Sequence, residues 1–411
     1  MNYSVVSLNF PVESLVQPKP SPADLKNKGN NTMKELIIFS FFLQLTYNSG
    51  TWASNLSEPE ANHLIEALGI EASINSKVIN ETSTRQILIH VPPPILEIVP
   101  DFKKRLVHAA NHEVKLHFFE TQQALHQSHE FENVNGIIGF CSTKLVMAAG
   151  NSLQWFHNYR SGMDTCTKIS EQKKQQILFT NSKKLASPTI AEHAIAMLLS
   201  IARGMPIYLR QQTKKKWENT SASKVTFGEI AGKTMLVVGL GGIGSEVARR
   251  ANALGMNVVG TRRSSRNGPD FVSYIGLSNE LYDLASRADV IVNALPLTPE
   301  TEGLFDQDFF NKARKGAIFI SVGRGRSTIT QDLVAAIKSG QIYGAGLDVT
   351  DPEPLPINDP LWHMDNVIIT PHVAGLSKES IQRMATLAIE NLRRYSTGKA
   401  LLNTVNMQVG Y

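Results

Sequence analysis

Residues 236–263 read LVVGLGGIGSEVARRANALGMNVVGTRR. An apolar strand runs into a glycine turn, a helix-length segment follows, and a second apolar strand, Met256 to Gly260, closes the unit. Gly239 permits the tight turn, Gly241 lets backbone approach a pyrophosphate, and Gly244 lets the helix pack on the strand. The helix N-terminus adds N–H groups and partial positive charge for phosphates. Gly239, Gly241, Gly242, Ile243 and Gly244 are therefore the candidate dinucleotide cradle. A glycine turn alone also joins buried strands to helices in proteins that bind nothing. The strand–turn–helix–strand context is what makes it a binding signal.

The stretch ends in two arginines where a carboxylate is usual. A site for NAD places Asp or Glu at the end of the second strand, to accept from the ribose 2′-hydroxyl. A site for NADP puts cationic groups there for the 2′-phosphate. Here the residues are Thr261, Arg262, Arg263 and Ser264, with Arg266 close behind, and Arg262 lies 18 residues past Gly244. The expectation is NADP(H), with NAD(H) as the alternative if these arginines are only a solvated basic turn.

A length of 411 residues accommodates two domains and a sizeable core. With 42% apolar and 19% charged residues, the chain has a globular composition. The net charge of +5 fits an anionic cofactor and substrate. No clustered basic-aromatic surface argues for nucleic acid, and Lys214–Lys216 reads as a solvated run. Two cysteines, Cys141 and Cys166, make no disulfide framework, and spacing alone does not say whether they pair.

Residues 1–85 read as an N-terminal extension. Within it, 1–32 are rich in Pro, Asn, Ser and Lys and have a disordered composition. The run Leu36 to Leu45 (LIIFSFFLQL), inside residues 33–54, is too short for a stable membrane span. It resembles the apolar core of a secretory signal, with Met33 as an alternative start, or equally a buried or surface-bound helix. Localisation stays open between cytoplasm, where the cofactor pool is, and export.

From Gln86 onward, strands alternate with helices. The expected strands are 87–91, 114–119, 136–140, 153–156 and 177–179, then 289–295, 317–322, 344–349 and 367–370. Thr189 to Arg203 is a strong helix with Ser187 or Thr189 as its cap, and Thr330 is expected to cap the helix to Ser339, with Gly340 as its stop. Near-continuous apolar strands such as AIFISV suit parallel sheets covered on both faces. The fold class is α/β, with doubly wound parallel sheets. Ligands in such folds bind beyond the carboxyl ends of the strands. Arg324 follows AIFISV, Glu353 follows AGLDV and His372 follows VIIT. Singly these are a turn arginine, a loop acid and a loop histidine. Together they put a guanidinium, a carboxylate and an imidazole on one sheet edge.

The motifs GLGGIG (239–244), LPLTPET (295–301), SVGRG (321–325), GLDVTDPEP (346–354) and TPHVAG (370–375) together resemble the D-isomer-specific 2-hydroxyacid dehydrogenases, of the glyoxylate/hydroxypyruvate reductase type. The resemblance covers about residues 86–405, and RSGMD (160–164) is similar to the family's substrate-domain turn. It implies a Rossmann domain, residues 183–372, inserted in a flavodoxin-like substrate domain, residues 86–182 and 373–411. It further implies that Arg324 binds the substrate carboxylate together with the amides of Ser161 and Gly162. His372 would be the acid/base and Glu353 would orient it. Leu295, Pro296, Thr298, Val322 and Asp348 would contact the cofactor, with Asp348 on the nicotinamide carboxamide. The implied reaction is reduction of a small 2-oxo acid to a 2-hydroxy acid, and the implied assembly is a homodimer.

Ser321 and Thr330 depart from the residues common in the family, Asn and Asp, but keep short polar side chains. His108 and His112 are four apart, with no third ligand at useful spacing, so no metal is expected. Two rival readings share the scaffold: a dinucleotide-sensing binding protein of the corepressor type, and a formate- or phosphite-type dehydrogenase.

Overall fold

The computed structural model describes residues 58–72, 85–110, 114–166, 168–219 and 225–408. The disordered-composition and signal-like segments, 1–32 and 33–54, lie outside the described residues, as does His112.

Two parallel sheets organise the chain. The first holds β1 (Arg85–His90), β2 (Val114–Phe119), β3 (Gly136–Gly139), β4 (Trp155–Asn158) and β5 (Leu178–Asn181), in the order β2-β1-β3-β4-β5. That is the flavodoxin-like order. The second holds β6 (Thr234–Val238), β7 (Asn257–Thr261), β8 (Tyr274–Gly276), β9 (Val290–Asn293), β10 (Ala317–Ser321), β11 (Ile342–Leu347) and β12 (Val367–Ile369). Its order, β12-β11-β10-β9-β6-β7-β8, puts the crossover point at β6 and β9, where dinucleotides bind in doubly wound sheets.

Both faces of each sheet are covered. On the second sheet, helices Ser187–Ala202 and Gly242–Ala253 bury one face, and helices Leu281–Arg287, Gln307–Lys312 and Thr330–Lys338 bury the other. This explains strands without polar alternation, such as the fully buried Ala317–Ser321. On the first sheet, helix Lys378–Ser396 packs back beside Phe102–Ala109, so the end of the chain returns to the lobe in which it began. The second sheet is therefore inserted within the first lobe, as the motifs implied.

Helix Glu58–Ala67 extends the first lobe. Ile70 beyond it is buried with Leu185, Leu387 and Leu402. Ala72 bridges Leu402, Asn403 N donates to Glu71 O at 3.2 Å, and Lys184 Nζ donates to Gly69 O.

Several expectations need correction. The strand expected at 153–156 is Trp155–Asn158. Its polar end stays buried because His157 Nδ1 meets Thr180 Oγ1 at 2.9 Å and Asn158 Oδ1 accepts from Cys141 N at 3.1 Å. Neither Ser187 nor Thr189 caps its helix. The N-cap is Ala186, and the Thr189 hydroxyl faces Ser377 Oγ at 3.1 Å. Nor does Thr330 cap its helix. The N-cap is Ile329, because the Thr330 hydroxyl donates to Asp351 O at 2.8 Å. Gly340 ends that helix with φ +73°. Cys141 and Cys166 are disulfide-bonded across the turn that contains Ser161 and Gly162.

Candidate active site and dinucleotide crevice

The crevice begins at the β6 glycine turn. Gly239 has φ +96°, and a Cβ on Gly244 would lie 2.1 Å from Gly239 O, so the helix approaches the strand only without a side chain there. A Cβ on Gly241 would meet nothing within 4 Å, which leaves that backbone open to the crevice. Helix Gly242–Ala253 starts at this point, with Ile243 in its first turn and its amides directed out of the N-terminus. The cradle thus has the shape and partial charge that a pyrophosphate requires.

The basic turn after β7 divides into separate tasks. Arg262 Nε donates to Leu240 O at 3.1 Å, which lays its guanidinium along the glycine turn. Ser264 is exposed beside it. The Glu300 carboxyl is held below its ordinary value, first by the Thr298 hydroxyl and also by the charge of Arg263. Arg266 turns away, bonding Tyr274, Ile275 O and Glu280. Arg262, Arg263 and Ser264 have the chemistry that a 2′-phosphate would need, whereas the Arg266 guanidinium is already engaged.

The other wall follows β9. Asn293 Oδ1 accepts from Leu295 N at 3.2 Å, and its amide donates to Ser321 Oγ at 3.1 Å and Ser327 Oγ at 2.7 Å. Ser321, in place of the family's Asn, therefore joins a satisfied buried network. Thr301 Oγ1 donates to Pro296 O at 2.7 Å and accepts from Thr298 N at 2.8 Å, which shapes the Leu295–Thr298 loop. Val322 is buried at the end of β10, with its amide on Asn293 O.

At the strand ends two of the expected side chains meet. His372 Nδ1 is 2.9 Å from Glu353 Oε2, and Glu353 Oε1 accepts from Thr350 N at 3.2 Å. His372 itself has φ +54°, a left-handed conformation that costs a non-glycine residue and is held by its surroundings. Those surroundings are Asp348, only 4% exposed. Its Oδ1 accepts from Thr370 Oγ1 at 2.6 Å and Val373 N at 2.9 Å, and its Oδ2 accepts from Ala374 N at 3.0 Å. His193 Nε2 reaches Thr370 Oγ1 at 2.9 Å from the adjoining helix.

Arg324, beyond β10, reaches over to the first lobe. Its Nε donates to Asp164 Oδ2 at 2.9 Å and its Nη1 to Gly323 O at 2.9 Å. The guanidinium lies directly above Gly162, where a Cβ would sit 2.0 Å from Nη2. Ser161 is exposed beside it and tied by its hydroxyl to Ser182 O at 3.1 Å. Thus Arg324, Ser161 and Gly162 share one wall of the interlobe cleft. An imidazole oriented by a carboxylate, and a guanidinium beside exposed backbone, can donate a proton and hold a carboxylate.

Sequence reasoning missed three participants. Asp164 was inside the quoted RSGMD turn, but its partner is 160 residues away. His193 and Thr370 gave only a helix histidine and a strand-end threonine. Close to Arg160, which covers the Phe140 ring at 5.3 Å, the rings of His90, Phe140 and Tyr159 pack edge-on at 5.5 and 5.6 Å. Among the described residues no group of three or more His, Cys, Asp or Glu is arranged to hold a metal ion, and no single helix is long and apolar enough to cross a membrane.

Residues 195–374 match the model of the D-isomer specific 2-hydroxyacid dehydrogenase NAD binding domain. A glyoxylate reductase of Korarchaeum cryptofilum is 33% identical over 266 residues, covering 64% of this chain and 79% of that protein. The glyoxylate reductase/hydroxypyruvate reductase of Homo sapiens is 33% identical over 252 residues, 61% of this chain and 76% of the human protein. A crystal structure of a D-isomer specific 2-hydroxyacid dehydrogenase from Xanthobacter autotrophicus Py2, in complex with NADPH and MES, superposes with TM-score 0.66 at 28% identity, covering 80% of this chain and 100% of that one.

Proposed function

The chain belongs to the D-isomer specific 2-hydroxyacid dehydrogenase family, and from that premise we propose that it reduces a small 2-oxo acid of the glyoxylate or hydroxypyruvate type with NADPH. The observation that carries this reading is the His372–Glu353 contact at 2.9 Å, at the carboxyl edge of the sheet that also bears Arg324 and the glycine turn. Relatives named as glyoxylate reductases and a neighbour crystallised with NADPH support it.

In the reaction, Arg324 and the amides of Ser161 and Gly162 hold the substrate carboxylate, a charge-assisted contact that also polarises the adjacent carbonyl. His372 Nε2 donates a proton to the oxygen on C2 as charge develops there. Glu353 accepts from Nδ1, which fixes the tautomer and the ring plane. When bound, the reduced nicotinamide supplies the hydride to C2. Gly239, Gly241, Gly242, Ile243 and Gly244 would hold the pyrophosphate, and Arg262, Arg263 and Ser264 the 2′-phosphate. Leu295, Pro296 and Thr298 border the ribose, and Val322 and Asp348 the nicotinamide end. A homodimer belongs to the same proposal. Helices Ser187–Ala202 and Met205–Thr213 leave Leu199, Met205 and Leu209 exposed, with Trp217 beyond them, and a partner subunit would cover these residues.

The test is a steady-state assay of NADPH and NADH consumption across a panel of 2-oxo acids. Turnover with NADPH preferred is the expected result. Tight NADPH binding without turnover would move the protein to the dinucleotide-sensing reading. A strong NADH preference would leave the reaction class standing and overturn the reading of Arg262 and Arg263.

A further inference from the structure

Asp164 opens the short 3-10 turn Asp164–Cys166, on the substrate side of the interlobe cleft. Arg324 comes from the nucleotide-binding side. Their contact is short, 2.9 Å, yet neither side chain is buried, with 27% of Arg324 and 41% of Asp164 exposed. An ion pair this exposed adds little to stability. Its consequence is directional. A guanidinium is a rigid planar fork of five N–H groups. Asp164 takes Nε, Gly323 O takes one proton of Nη1, and Nη2 lies over Gly162. The rotation of the fork is thereby set, and its Nη edge is the part left to meet a substrate carboxylate.

The pair also sets the local charge. Arg324 contributes one positive charge and Asp164 one negative charge at hydrogen-bond distance, so part of the guanidinium's charge is offset beside the place that receives the substrate carboxylate. A second anionic group on the substrate, a few bonds from the first, would enter the field of the Asp164 carboxylate, which is 41% exposed at the cleft.

We propose that Asp164 is a positioning and specificity residue: it fixes the orientation of Arg324 across the cleft and selects 2-oxo acids with a single carboxylate over 2-oxo diacids. This rests on the reductase reading above. Asp164 reaches the substrate only through Arg324 and through its charge. The turn that carries it is held by the Cys141–Cys166 disulfide and by Thr165 Oγ1, which donates to Cys141 O at 2.6 Å, so its place is built into the lobe.

The experiment compares wild type, Asp164→Asn and Asp164→Glu, using glyoxylate and pyruvate against oxaloacetate and 2-oxoglutarate, with melting temperatures measured in parallel. For Asp164→Asn the expected kcat with the monoacids falls about tenfold, because the carboxylate is no longer aligned. KM does not rise, because a negative charge has left the site. The diacid-to-monoacid ratio of kcat/KM rises about tenfold. Asp164→Glu keeps the charge, so its diacid ratio stays near wild type, and part of kcat returns. A merely structural role would lower the melting temperature and depress all four acids alike, with the ratio unmoved, and that result overturns the proposal. So does an Asp164→Asn enzyme indistinguishable from wild type. A wild-type enzyme inactive with every acid overturns the reductase reading itself and takes this proposal with it.

Discussion

Asp348 holds the loop of His372 through both its main chain and its side chain. The His372 amide donates to Asp348 O at 2.8 Å, and the next two amides, of Val373 and Ala374, donate to the Asp348 carboxylate. This clamp keeps the imidazole in its left-handed conformation at the sheet edge. An Asn at 348 accepts through one oxygen only, so one of the two amides loses its partner. The expected cost is about 2 kcal/mol of stability, read as a lower melting temperature. A drop in kcat should accompany it, because His372 loses its fixed place.

Replacing His372 itself separates chemistry from binding. His372→Gln should lower kcat about a hundredfold or more through loss of the proton donor. NADPH affinity should stay within about twofold, because the cradle lies on other loops. Stopped-flow turnover and fluorescence titration of NADPH read the two quantities. Turnover near wild type at neutral pH would remove His372 from the acid/base role.

The basic turn gives a cofactor prediction. Arg262 is anchored on Leu240 O at the glycine turn, whereas Arg266 is held by Glu280 and Tyr274. Arg262→Ser should lower the NADPH-to-NADH ratio of kcat/KM by about tenfold or more, since a charge-assisted contact to phosphate is lost. Arg266→Ser should leave that ratio unchanged.

Acid sensitivity should come from His157, which is fully buried in β4. Burial holds its pKa down to about 3. The folded chain therefore keeps it neutral, while the unfolded chain protonates it near 6.5. Stability is complete above pH 6.5 and declines as pH falls from there toward 3. Between pH 6.5 and 5 the expected loss is about 2 kcal/mol. Denaturation midpoints against pH should flatten in a His157→Asn protein, beyond the constant cost of the substitution.

The disulfide offers a last test. Cys141 and Cys166 close a loop with a sequence separation of 25, and reduction should cost about 3.5 kcal/mol on the chain-entropy account. Because the bridge backs the turn bearing Gly162 and Asp164, KM for the 2-oxo acid should rise on reduction while NADPH binding holds. Thiol titration alongside kinetics would show whether the two changes coincide.

Much of the fold was legible because parallel sheets covered on both faces leave a strong one-dimensional trace of apolar runs separated by helix-length segments. The strand at 155–158 was displaced because its polar half, His157 and Asn158, is buried by partners in β5 and in the turn after β3, which apolar counting does not see. The two helix caps failed for a related reason. The hydroxyls of Thr189 and Thr330 are claimed by Ser377 and by Asp351 O, both distant in sequence.

By itself, the chain of residues determined the glycine cradle, the basic turn that follows it, and the strand ends that carry Arg324, Glu353 and His372. These depend on local spacing, and local spacing is written in order along the chain. Only the tertiary structure decided which arginine turns away, what holds His372 at φ +54°, and that Arg324 meets Asp164 across the cleft. The first rests on loop contacts 8 to 14 residues apart and the last on a pair 160 residues apart, and in each case the direction of a side chain is set by how the loops fold rather than by the order of residues.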